Sequence, residues 1–396
     1  MYAARSTSTK KSEQRMETQQ RTSQLLKPVE DYVRQCLDLS ARTALEQLGL
    51  QGGVLYESQG GNTPDPVSSA DYVVVDGVKV AFGLVKPQGS VGTLFYAEPP
   101  AYPWSTFPDV YENDTLLLAN YTKGYYGINL LPQPELVQSL LENVTLAKTI
   151  ACVDWTIFEP QGITVAPQTP AMRVVLGEHA TSFLLHYPVD VTSTAGESTA
   201  RIDAFSVEIP VRMKRVLEAA HTVIDKDATD IAYNPSLAFV GNIQSSISRD
   251  VGVFTDLFVI TDPQSTIGGE QYIFQAGRAN RPPALVWISE SALADKKLCD
   301  TSEIRAGTAA LIGDADVCGS GDFTSFTLPM FAYDPDEDFV TYTFSVRDEA
   351  TMPPDVYTVK DSDVMFTFVP VVAKANDGQL VDEQVLLVPV DFKPSP

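Results

Sequence analysis

The sequence predicts an α+β region followed by an all-β, immunoglobulin-like sandwich. Three observations carry that expectation. Between residues 28 and 280, helical periodicities alternate with hairpin patterns, without the regular spacing of a doubly wound sheet. At Asn280-Arg-Pro-Pro-Ala-Leu285, two prolines forbid a continuing helix and favour an extended connection. Beyond it the pattern becomes short alternating strands separated by turns. A chain of 396 residues can bury substantial cores, and its 44% hydrophobic and 20% charged content are those of a globular protein. The expected organisation is a polar helical stalk or linker at 1–27, the α+β region at 28–280 and the sandwich at 281–396.

Residues 12–27 are helix-prone and polar, with almost no apolar face, so they read as a solvated helix. Pro28 suits a helix first turn, and Val29, Tyr32, Val33, Cys36, Ser40, Ala44 and Leu48 recur at helical spacing. Gly49, or the Gly52-Gly53 pair, is expected to stop this helix. A hairpin follows, Asp71–Val75 and Val78–Val85, around the two-residue turn signal Asp76-Gly77. Residues 94–126 are irregular and dense in aromatics and prolines. A second helix opens at Pro134, with Leu136, Val137, Leu140, Leu141, Val144 and Ala151 on one side. Strands are expected at Arg173–Leu176, Ser182–Asp190 and Ala204–Ile209. An amphipathic helix from Pro210 then turns Met213, Leu217, Ala220 and Ile224 inward. Segment 233–280 ends in an apolar strand, Tyr272–Gln275. The sandwich strands are Phe323–Ala332, Phe339–Val346, Val364–Val372 and Val385–Val390.

The net charge is −23, from 31 Asp and 20 Glu against only 14 Lys and 14 Arg. Such a surface repels phosphates, so nucleic acid is not an expected partner, and it favours cations. The charge is uneven: residues 300–396 hold eighteen acidic and five basic side chains, whereas residues 1–30 hold three and six. No stretch approaches the roughly 20 apolar residues that span a bilayer, and the opening residues lack the apolar run of a signal peptide. The four cysteines form no zinc-type spacing. Cys299 and Cys318 bracket a short loop, and Cys36 and Cys152 each sit late on a helix, which gives two expected disulfides; the alternative is four unrelated buried thiols.

Two resemblances follow from particular residues. Tyr333-Asp-Pro-Asp-Glu-Asp338 with Val340-Thr-Tyr-Thr-Phe-Ser345, and Ala375-Asn-Asp-Gly-Gln-Leu-Val-Asp-Glu-Gln384, resemble the acidic turn and late hairpin of cadherin-like, immunoglobulin-like domains of microbial surface proteins. Glu337 stands where that family usually has Gly. Further upstream, Tyr32-Val-Arg-Gln-Cys-Leu37, Gly49-Leu-Gln-Gly-Gly53, Leu131-Pro-Gln-Pro-Glu135, Tyr187-Pro-Val189 and Glu208-Ile-Pro-Val-Arg212 are similar to poorly characterised surface proteins of small-genome (DPANN) archaea. That likeness covers most of 28–280 and implies an extracellular protein held by a membrane anchor that precedes this sequence. Its expected role is structural or adhesive, in contact with other surface proteins or with copies of itself, including as the subunit of a surface filament or layer. A cytoplasmic location is the alternative.

The candidate sites are few. Asp334, Asp336 and Asp338 alternate, so an extended loop would aim all three at one hard cation. Calcium is the ion such a set would take, with Glu337, Asp377 and Asp382 available to complete the shell. The alternative is a solvated acidic turn. Tyr102, Trp104, Tyr125 and Tyr126 in the aromatic stretch would offer a stacking platform for a glycan or peptide, or else lid a core. Asn113, Asn120 and Asn143 head glycosylation triplets. The three histidines, His179, His186 and His221, fit no metalloprotease spacing, and no nucleophile elbow, phosphate loop or dinucleotide turn is present. Enzyme activity is not expected, and a secreted hydrolase is the weakest of the three readings.

Overall fold

The computed structural model describes residues 2–68, 71–86, 126–193, 199–231, 233–285, 303–307, 326–329, 332–346, 349–350, 356–358 and 368–389; side chains are described within 25–285, 332–343 and 373–382. The fold is α+β, with few helices and many strands in mixed and antiparallel sheets.

Helix α1 spans Tyr2–Leu50 and runs straight through Pro28, which therefore lies inside the helix and not in its first turn. Proline lacks an N–H, so one carbonyl a turn earlier goes without its helical bond. The helix-prone residues on both sides hold the geometry across that gap. From Val29 onward one face is fully buried: Val33, Cys36, Leu37, Ser40, Ala41, Ala44, Leu45 and Leu48. Gly49 does not stop the helix. It is the point of closest approach to the sheet, where a Cβ would sit 2.3 Å from the Ile273 carbonyl oxygen. The helix ends at Gly52 and Gly53, both left-handed, with the Gly53 N–H donating to the Leu48 carbonyl at 2.9 Å.

Strands β1 (Tyr72–Val75) and β2 (Val78–Val85) form the expected hairpin, and Asp76 and Gly77 both take positive φ. Short β3 (Ile128–Asn129) pairs with the end of β2. Helix α2 (Pro134–Cys152) buries Val137, Leu141 and Val144 but leaves Leu136 and Ala151 exposed. Together with the turn that follows, it is long and apolar enough by composition to cross a membrane. Here its apolar face packs on α1 instead. The Cys36–Cys152 disulfide joins the two helices across 116 residues of sequence. Beside it the Tyr32 hydroxyl donates to the Cys152 carbonyl at 3.1 Å and accepts the Asp154 N–H at 3.0 Å. Tyr32 meets Phe158 and Trp155 meets Tyr187 edge to face around the same corner, with Trp155 tilted against Phe158.

Strands β4 (Ile163–Pro167), β5 (Ala171–Leu176), β6 (Thr181–Ser193) and β7 (Thr199–Ile209) make a four-stranded antiparallel sheet with long β6 at its centre. Its inner face, Phe183, Leu185, Tyr187, Val189 and Phe205, joins the core on α1. Helix α3 (Met213–Thr229) buries Met213, Val216, Leu217, Ala220, Val223 and Ile224. It begins three residues after Pro210, where Arg212 forks onto buried Asp262 at 2.5 and 2.7 Å.

Only one strand was expected in 233–280, but four are present: β8 (Phe239–Val240), β9 (Ile243–Gly252), β10 (Thr255–Ile267) and β11 (Glu270–Ala279). They extend the first hairpin into a seven-stranded sheet of order β1-β2-β11-β10-β9-β8, with β3 beside β2 and a parallel β2–β11 pairing. Gly268 and Gly269, both at positive φ, make the β10–β11 turn.

The C-terminal part is built of strands among its described residues. β12 (Ala284–Leu285) pairs with β15 (Ala332–Tyr333). Strand β13 (Glu303–Gly307) lies between β14 (Phe326–Pro329) and β18 (Val356–Thr358). β16 (Thr341–Val346), β17 (Glu349–Ala350), β19 (Phe368–Asn376) and β20 (Val381–Pro389) form the last sheet. The final hairpin sits four residues later on its first strand than the apolar pattern suggested. The turn decides this: Asp377 accepts the Gln379 and Leu380 N–H groups at 2.6 Å, and Gly378 has φ 105°.

Candidate functional site

Charge is buried where the α+β body meets the C-terminal strands. Asp227 continues the inward stripe of α3 one turn past Ile224 and is 1% exposed. Arg278, on β11, and Arg281, just after it, are also buried, Arg281 completely. Arg278 forks onto Asp227, Nε to Oδ2 at 2.8 Å and Nη2 to Oδ1 at 3.1 Å, and its Nη1 lies 2.9 Å from Asp336 and 3.4 Å from Asp256. Arg281 bridges the two parts of the chain. Its Nη1 donates to the Asp227 carbonyl at 2.9 Å, while Nη2 donates to Asp227 Oδ1 at 3.2 Å and Asp336 Oδ1 at 2.7 Å. Both guanidinium groups also reach the Pro335 carbonyl. Burial alone would push the Asp227 carboxyl up, but the two guanidinium groups outweigh it and hold it below the usual carboxylate range.

This network reassigns the acidic turn. The expectation was five carboxylates converging on one cation, and the structure gives four of them partners within the protein. Asp336 is taken by Arg278 and Arg281 and also accepts the Arg281 backbone N–H at 2.7 Å. Asp334 Oδ1 caps the turn, accepting the Asp336 and Asp338 N–H groups at 2.8 and 3.0 Å. Asp377 shapes the last hairpin and accepts from Asn280 Nδ2 at 3.0 Å. Asp382 accepts the Leu285 N–H at 2.7 Å, fixing the start of the C-terminal part. Among the described residues no group of three or more His, Cys, Asp or Glu is arranged to hold a metal. Glu337 takes φ 64°, the left-handed conformation that a glycine favours, and its side chain pairs with Arg249 at 2.7 Å.

Asp334 has an unusual environment. Its Oδ2 is buried with no hydrogen-bond partner. Burial first, and then the neighbouring Asp336 and Asp338 charges, push its carboxyl up to about 7 against the two N–H bonds. An acid whose folded pKa lies above its unfolded value favours the fold while protonated. That stability is therefore full below pH 4 and lost as pH rises toward 7. Asp334→Asn keeps the Oδ1 acceptor and removes the charge. Denaturant unfolding should show the variant gaining on the parent by on the order of 1 to 2 kcal/mol between pH 4.5 and pH 8, after allowance for solvent screening. A constant difference across that range refutes the assignment.

Of the aromatic residues proposed for stacking, Tyr102, Trp104 and Tyr125 lie outside the described residues, as do Cys299, Cys318, Asn113 and Asn120. Tyr126 is wholly buried, and burial raises its hydroxyl pKa, so its ring faces the core and not solvent. Asn143 is exposed on α2. His221 bridges Asn129 Nδ2 and the Pro132 carbonyl at 3.2 and 3.3 Å, a structural position. His186 lies on the outer face of β6, and His179 in the turn before that strand.

The network opens on one side into a polar cavity of about 280 Å³, between the β9–β10 hairpin and the acidic turn. Arg249, Phe254, Asp256, Arg278, Asn280 and Asp338 line it. Sequence reasoning passed over Asp227, Asp256, Arg278, Asn280 and Arg281. Asp227 carried a readable signal, an acid on the apolar stripe of a helix. Comparison of the chain with known protein families, with curated proteins and with solved structures finds no match.

Proposed function

We propose that the protein is a structural or adhesive component of a cell surface: a stiff body on a long helix, reaching a membrane through an anchor. The observation that carries this reading is the Cys36–Cys152 cross-link, since such bonds persist in oxidising compartments and are rare in the cytosol. The Asp-rich, Lys-poor composition supports it, because carboxylates keep a crowded exterior surface hydrated and mutually repulsive. In this reading the C-terminal strands close into an immunoglobulin-like sandwich. Arg281 locks that sandwich to the body so that force passes without a hinge. Its partners are other surface proteins or further copies of the chain. A binding module is the second reading, favoured by the polar cavity beside the network.

The test is made on protein from its own cells. Peptide mapping without reduction should recover a fragment cross-linked through Cys36 and Cys152. Protease added to intact cells should remove the protein. Recovery from the cytosol with both thiols reduced overturns the proposal.

A further inference from the structure

We propose that the Asp334–Pro335 peptide bond is a self-cleavage site, at which the Asp334 carboxyl group attacks its own main-chain carbonyl and frees Pro335 as a new N-terminus. The inference stands apart from the surface role, since it concerns one bond and its immediate surroundings.

The chain holds three Asp-Pro bonds, Asp65-Pro66, Asp262-Pro263 and Asp334-Pro335. Such bonds are chemically weak points. The side-chain carboxyl closes a five-membered ring on the carbonyl carbon, and the proline nitrogen is basic enough to leave. Proline's missing N–H also closes the competing route, attack of the next backbone nitrogen on the aspartate side chain. The fold disarms two of the three bonds. Asp65 pairs with Lys79 Nζ at 2.5 Å and accepts from Ser58, and these contacts hold its carboxyl down at about 2. Asp262 is forked by Arg212 and accepts from Ser265 and the Gln264 N–H. Both stay ionised, with their oxygens engaged. Asp334 has no such cation among the described residues: Oδ1 accepts two backbone N–H groups, and Oδ2 is buried with no hydrogen-bond partner.

The surroundings of the bond favour the step. The Asp334 carbonyl oxygen accepts the Glu337 N–H at 3.3 Å, a donor placed where negative charge gathers during the attack. On the leaving side, the Pro335 carbonyl is pinned by Arg278 and Arg281 at 2.7 and 2.9 Å, which fixes the bond against a buried anchor. The polar cavity reaches residues 336–338 and brings water to the turn. The charged groups around Asp334 are Asp336 and Asp338 within the turn, Arg249, Arg278 and Arg281 from the body, and Asp377 from the last hairpin. Burial and the two neighbouring acids let Asp334 keep its proton up to about 7. The step balances without a further reagent. One carboxyl oxygen bonds to the carbonyl carbon, the carbon–nitrogen bond breaks, and the carboxyl proton passes to the proline nitrogen. The cyclic anhydride left at residue 334 then takes up one water and opens to two acids. Arg278 and Arg281 still hold Asp336 after the cut, so the pieces stay together until unfolded.

The full chain, kept folded at about pH 5.5 and then denatured for mass analysis, should yield fragments ending at Asp334 and beginning at Pro335. This cut should outpace either other Asp-Pro bond at least about tenfold, since each pH unit above a carboxyl's pKa lowers its protonated fraction about tenfold. Asp334→Glu keeps a carboxyl but must close a six-membered ring, and should slow the cut about tenfold. Pro335→Ala leaves the acid in place, removes the good leaving group, and should slow it as well. Hydroxylamine in the buffer should convert residue 334 to a hydroxamate, the mark of the anhydride. Urea at the same pH should erase the preference for this bond. No cut after residue 334 in the folded protein overturns the proposal, as do equal cutting at all three bonds, a preference that survives urea, or a rate unchanged by both variants. A cut that leaves no hydroxamate overturns it in favour of a contaminating protease.

Discussion

Arg281→Met is expected to destabilise the protein by about 3–5 kcal/mol, one of the two largest single effects the fold predicts. The methionine fills much of the same volume, so the loss is one of charge and hydrogen bonding and leaves little cavity. Arg281 is wholly buried and donates to Asp227, Pro335 and Asp336. Without it, Arg278 alone faces the carboxylates of Asp227 and Asp336, and it shares Asp256 with Arg249, in a site with little water. Desolvated carboxylates without partners are among the most unfavourable groups a fold can hold. Arg281→Lys should recover only part of the loss, because an ammonium cannot fork onto two carboxylates and a carbonyl in one plane. Removing the charge on both sides, with Arg281→Met and Asp336→Leu together, should recover more than either single change implies. Urea unfolding measures all three. A loss under about 1 kcal/mol for Arg281→Met would mean that the buried ion network contributes nothing specific.

The second large effect belongs to the disulfide. Replacing both Cys36 and Cys152 with alanine should lower stability by roughly 4–5 kcal/mol on the chain-entropy estimate, since the bond closes a loop of 116 residues. The alanines leave the surrounding packing of Tyr32, Trp155 and Phe158 nearly unchanged, which isolates the cross-link. Reducing agent should reproduce the loss in the parent protein. Applied to the double variant, it reports on Cys299 and Cys318 alone. An unchanged unfolding midpoint in the variant would show that helix packing suffices to hold α1 on α2.

Local pattern carried much of the fold. The Asp76-Gly77 turn, the apolar faces of α1, α2 and α3, and three strands of the four-stranded sheet follow from spacing within a dozen residues or so. What spacing could not show was how far the segments run. Pro28 reads as a beginning because proline favours a first turn, yet the helix passes through it, as the helical preference of its neighbours outweighs one missing bond. Gly49 reads as an end, yet it is glycine because a sheet carbonyl lies against it. Strands β9 and β10 escaped notice because their serines, threonines and aspartates interrupt the apolar alternation, and pairing within a wide sheet satisfies them.

The acidic turn shows where sequence stops. Composition and alternation establish that Asp334, Asp336 and Asp338 are acidic and close together, and cysteine placement predicts the Cys36–Cys152 pair that the structure contains. Which cation answers the acids is a tertiary matter. The guanidinium of Arg281 lies 55 residues away along the chain and arrives only because β11 ends beside that turn. A carboxylate has the same local sequence whether it meets calcium, arginine or water. Its partner is set by the long-range packing that removes the water, and a local pattern holds no record of that packing.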